Sequence, residues 1–231
     1  DQIGAFSTSA IAALSTKQIA TLSAGQIGFL DTVDVRALTS RQAAVLNTSQ
    51  IASLDPEDIG AMTSAQLAAL NTRAIAVLNV DQLASITSTN IAALTVKQVG
   101  TLSTDQFMVL DTPQFGALTS GQIAALSTSV ISVLSGEQID ALSTQTLAAL
   151  TTRQMAALSP DQLNALTTSD IAVLTSKQLA GLTSSQISGL ETDRFTALGS
   201  GQVSALSTSV IAALSQDQFA SLTTQGLAGL N

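Results

Sequence analysis

The hydrophobic residues of this chain keep to two positions of an eight-residue frame that runs from end to end without insertion or deletion. Label the frame a to h, with a at Ile3, Ile11, Ile19 and every eighth residue to Leu227, and d at Phe6, Leu14, Leu22 and on to Leu230. All 29 a positions are apolar, Ala43 being the smallest, and 26 of 29 d positions are Leu, the exceptions being Phe6, Met62 and Ile86. A spacing of three from a to d is a neighbour relation on a helix, whereas a strand would show a spacing of two. One unbroken helix fails, because eight residues at about 100° each rotate the apolar stripe by roughly 80° per octad, and it would wind around and meet no partner. The pattern therefore predicts a helix of about two turns in each octad, from f to d, with a sharp bend at e.

Position e supplies the start signal. Of 29 such residues only Glu191 and Gly199 fall outside Ser, Thr, Asp and Asn, the side chains that accept a hydrogen bond from a free N–H of a helix's first turn. Three residues later h is Gln in 18 of 29 octads, completing a capping box in which the longer side chain reaches back to the cap residue's own N–H, as in Ser15 with Gln18 and Thr63 with Gln66. The same Gln could instead build a buried ladder between successive helices. The prolines agree with the phase: Pro56 and Pro160 follow e directly and Pro113 lies one residue further on, all in the first turn, where a missing N–H is harmless.

A two-turn helix is far below the roughly 12 to 15 residues that give even marginal stability alone, so the units must stack. The fold class that follows is an all-α solenoid, a superhelix of short helices, one per octad, forming a single continuous body over residues 1–231 with no globular domain. Of the 24 charged residues, 14 sit at g, four at e, four at h and two at b, which places g outside and a and d inside. Small residues at b and c allow backbones to approach, and c, once Phe29, is expected at the junction with the next helix. The chain begins at g and ends at e, as expected of a segment of a longer array.

A slower repeat of ten octads, 80 residues, overlies the octad. Lys17, Lys97 and Lys177 align, as do Asp31, Asp111 and Glu191; Asp1, Asp81 and Asp161; Glu57, Glu137 and Asp217; and Arg73 with Arg153. Duplication of a ten-octad block accounts for this. A sharper reading is that 80 residues make a near-integer number of coils, so that like charges recur along an edge.

Composition narrows the function classes. A net charge of −8 removes the basic footprint needed for nucleic acid or anionic membranes. Every octad is interrupted by polar residues, so no run approaches the ~20 apolar residues of a membrane-spanning helix. The chain has neither Cys nor His, which excludes disulfides and the usual zinc and haem ligation. Without His, and with Lys confined to g, no general base is placed to activate the many hydroxyls. No catalytic residue, cofactor or metal ligand is expected. Asp55, Glu57 and Asp58 could suggest a calcium site, but Asp55 is placed as an N-cap and the other two as first-turn acids favoured by the helix dipole. Phe107, Phe115, Phe195 and Phe219, all at a, are expected in the core. Thr occupies f in 14 of 28 octads, and with the hydroxyls at e it offers a regular edge for an ice or polysaccharide lattice, unless these residues simply begin helices.

The phrases LTSRQAAVL, LTVKQVGTL, LTTRQMAAL and LTSKQLAGL, from residues 38, 94, 150 and 174, resemble the LTTxQIAAL-type tandem octapeptide repeats of very large bacterial secreted or surface proteins. The resemblance covers the whole chain and implies an extracellular, fibrous setting. Such proteins are often labelled adhesins or haem-utilisation proteins, and the lack of His gives the haem label no support here. The expected function is structural: the shaft or spacer of a bacterial cell-surface or extracellular filament, with the chain's main partner being itself through lateral or end-to-end contacts. The alternative is a lattice-binding module that engages a surface glycan or ice.

Overall fold

The computed structural model describes residues 6–230; Asp1 and Ile3, at the start of the frame, and Asn231, its last e residue, lie outside them. Between them run 28 α-helices, one per octad, and a 3-10 turn at Ala228–Leu230, with no strand among the described residues. The chain is an all-α solenoid, and among the described residues no helix is long and apolar enough to cross a membrane. It forms two compact units, Asp1–Leu118 and Thr119–Asn231, each built by the same rules.

Helix Thr16–Thr21 shows the unit. Its cap Ser15 is extended (φ −68°, ψ 157°) and accepts from the Gln18 N–H at 3.3 Å, while Gln18 Oε1 accepts from the Ser15 N–H at 2.8 Å. At the other end Leu22 is already extended (φ −61°, ψ 138°), and its N–H closes on the Ile19 carbonyl at 3.2 Å. The helices start at f as predicted but stop at a, b or c, four to six residues on, so the expected length of two turns through d is an overestimate. The corner takes two residues, because d must leave the helical region before e can enter the next helix as a cap. Every described residue keeps a negative φ, so no left-handed residue is needed.

Within each unit a helix packs on the third one along: Thr32–Ala37 on Pro56–Ala61 and Ser40–Ala43 on Ser64–Ala69 in the first, and Thr128–Val133 on Thr152–Ala157 in the second. Side-chain hydrogen bonds from coil to coil join residues 25 to 31 apart, so a coil takes between three and four octads. Three such steps bracket the 80-residue period. Residues at a and d meet in the interior, with Ile51, Leu67, Ile75 and Leu83 at zero exposure. Each such side chain contributes about 1.5 to 3 kcal/mol by leaving water. The small residues at b set the spacing: a Cβ on Gly60 would stand 2.8 Å from the Ser85 carbonyl oxygen, as would one on Gly28 from that of Ser53.

Beyond the first coil most h side chains are as buried as the core, with Gln50 and Gln82 at zero exposure. One expectation about burial needs correction. Phe107, Phe115 and Phe195 are fully buried, but Phe219 is 44% exposed, because no coil is stacked beyond it.

Candidate functional site

The polar chemistry inside this molecule is concentrated in the h side chains. Gln66 is representative. Its Oε1 accepts from the Thr63 N–H at 2.7 Å and the Thr63 hydroxyl at 3.0 Å, and its Nε2 donates to the Val35 and Leu38 carbonyls at 2.7 and 2.6 Å. Capping box and ladder are therefore not alternatives: the amide oxygen caps its own helix and the amide nitrogen fastens that helix to the coil before it. The short helix explains the fit. Its last carbonyls have no intrahelical partner beyond one turn bond, and a primary amide offers two N–H groups that match carbonyls three residues apart. Gln98 repeats the arrangement on Leu67 and Leu70, and in the second unit Gln154, Gln186 and Gln218 do so at successive intervals of 32 residues. Gln18 and Gln26, exposed in the first coil, cap their helices with no coil before them to reach.

Where h is not Gln the contact changes in kind. Asn90 reaches a single carbonyl, that of Met62, at 2.9 Å. Arg194 donates from Nη2 to the Asn164 carbonyl at 2.9 Å and pairs with Asp193 and, at 3.6 Å, with Glu191, while its Nε is buried without a partner. Asn164 completes this cluster, donating to the Gly189 carbonyl and accepting from the Glu191 N–H, both at 2.9 Å.

Asp34, Asp58 and Asp170 also occupy h and are buried. A carboxylate can accept at the cap, as Asp170 does from the Thr167 N–H at 2.9 Å, but it has no proton for the carbonyls below. Burial is the main cause that raises the Asp58 pKa above the ordinary carboxylate value, and the charges of Asp55, Asp31 and Glu57 add to it; burial likewise raises that of Asp34, with Asp31 adding to it. The helix dipole anticipated for Asp58 is thus outweighed by desolvation. Asp55 and Glu57 stay exposed, and among the described residues no group of three or more acidic side chains is arranged to hold a metal ion.

The hydroxyl edge at e and f is partly consumed by the fold. The e side chains accept from the first turn in every helix except those beginning at Pro56, Thr192 and Ser200. Several f serines donate to the next coil: Ser176 to the Gly201 carbonyl at 2.8 Å and Ser184 to that of Ser209 at 3.2 Å. An open cleft of about 400 Å³ lies between two helix starts, lined by Asn47, Thr48, Asn71, Thr72 and Arg73. It is shallow and polar, with no convergent buried group.

Short capped helices fastened coil to coil by side-chain amides define a tandem-repeat solenoid protein. More particularly, the chain belongs to the ALTTAQ repeat family, whose model matches residues 1–32, 28–64, 51–88, 59–96, 85–120, 120–152, 131–168 and 165–200. No curated protein matches it. Among solved structures it is similar to the leucine-rich repeat-containing protein LegL7 from Legionella pneumophila, at 13% identity over 86% of this chain. The chain spans 62% of that protein's length, and the TM-score of 0.20 is too low to bear on the fold.

Proposed function

We propose that this chain is a structural protein, a spacer segment in the shaft of a bacterial extracellular or cell-surface filament or adhesin, without enzymatic activity. The observation that carries this reading is the use made of the buried amides: side chains that could have built a binding or catalytic centre are instead spent on fastening one coil to the next. Nearly every octad adds the same kind of cap and the same apolar pair, so the architecture is extended by repetition, which suits a part whose task is to set a distance. The absence of Cys fits a secreted chain but does not require it. Its principal partner is a second copy, met laterally along a surface poor in charge, 10% of residues overall.

Small-angle scattering and electron microscopy on chains lengthened by one or two ten-octad blocks test the spacer reading. Maximum dimension should grow by a constant increment per block at unchanged cross-section. A dimension that fails to grow would remove it. Protease shaving or surface labelling of intact cells tests the location, and full protection would place the protein elsewhere.

A further inference from the structure

Within residues 6–118 the stacking of each helix on the third one along sorts the charges onto separate edges. Helices Thr32–Ala37, Pro56–Ala61, Val80–Ala84 and Thr104–Met108 form one column. It displays Asp31, Glu57, Asp81 and Asp105 in exposed positions, against a single base, Arg36. Helices Thr48–Ala52, Thr72–Ala76 and Val96–Val99 form another column, which has no acid and displays Arg73 and Lys97. Glu57, Asp81 and Asp105 recur at g 24 residues apart on the acidic edge, and Arg73 and Lys97 do so on the basic one, while the first helix of each column carries Val33 or Ser49 at g. The ion pairs found among the described residues all belong to Arg194, so these edge charges are not neutralised within the unit.

We propose that the acidic edge of one copy docks against the Arg73–Lys97 edge of a second copy, in a register set by this common step. Stacked helices lie about 8 to 10 Å apart, close to the screening length at physiological salt. Like charges along the acidic edge therefore repel one another until a basic edge is brought beside them. Matching edges steer the approach and fix the register more than they add affinity. Between the charges Val33, Val80 and Met108 are exposed on the acidic edge and Val77 and Val96 on the basic one, so docking also removes apolar surface from water. This inference deepens the self-association part of the proposed function, naming the surfaces and the register.

The test is sedimentation velocity on the full chain in 10, 150 and 500 mM NaCl, with the variants R73E/K97E and D81K/D105K, whose folding is verified by circular dichroism. All four side chains are exposed, so the helices should form in every variant. The wild type should associate at 10 mM salt and weaken about tenfold on screening. Each variant alone should remain monomeric, while an equimolar mixture of the two should associate. No association at 10 mM salt, association indifferent to salt, or association of either variant alone at the wild-type level would overturn the proposal. The scattering dimension of the monomer is read on the same samples, so a failure of docking is distinguished from a failure of the spacer reading.

Discussion

The Nε2 of Gln98 lies 2.8 Å from the carbonyl oxygen of Leu70, a residue one coil earlier, while its Oε1 lies 2.7 Å from the N–H of Thr95, the cap of its own helix. One side chain thus closes a local bond and a long-range bond together. Replacing Gln98 by Leu should cost about 2 to 4 kcal/mol, because the cap N–H and two buried carbonyls lose their partner. Gln18→Leu, in the exposed first coil, removes only the capping half and should cost about 1 kcal/mol or less. Urea denaturation of the two variants gives the comparison, and equal losses would show that the coil-to-coil bonds contribute nothing.

The close approach at b predicts a different kind of sensitivity. Gly60→Ala places a methyl 2.8 Å from the Ser85 carbonyl oxygen and should destabilise by about 1 to 3 kcal/mol through displaced backbone, despite Ala being the better helix former. Gly25→Ala, whose added carbon meets nothing within 4 Å, should instead be neutral or stabilising. Thermal melts of the pair would decide.

Asp58 makes stability depend on pH in a direction opposite to that of a salt-bridged carboxylate. Its folded pKa is raised above the ordinary value of 3.8, so the folded state binds the proton more tightly than the unfolded chain. The contribution is therefore fully present below the unfolded value and is lost as pH rises through the folded one. Asp58→Asn should be more stable than the wild type at pH 7, and the difference should shrink as pH falls through that window. Melting temperature against pH for both proteins measures this; a constant difference would refute it.

The Arg194 cluster is an exception that can be reverted. In Glu191→Thr combined with Arg194→Gln, the new side chain should cap its helix and reach the Leu163 and Leu166 carbonyls, relieving the buried Nε. A gain of about 1 kcal/mol is expected, seen as a higher urea midpoint, and a loss would mean that the Asn164 network is the better solution at this coil.

Much of the fold was legible because its determinants are local. Ser15 and Gln18 are three residues apart, and the same is true of Ile19 and Leu22, so the caps, the phase of the helices and the core positions follow from neighbours that share one turn. The positions of Pro56, Pro113 and Pro160 confirmed that phase without any tertiary information. Asp58 was legible only in part: its place in the first turn could be read, its burial could not.

The sequence by itself determined that each octad makes one capped helix, that a and d form the interior, and that g faces outward, since each of these depends on contacts within four residues. Only the tertiary structure decided that a coil takes between three and four octads, that h lies inside, and that one Gln amide serves two helices. These depend on the rotation accumulated at the extended d and e residues, which brings Gln98 to Leu67 and Leu70 across 31 and 28 residues. A small change in ψ at each corner would bring a different helix there with the same octad, so no local pattern encodes that partner.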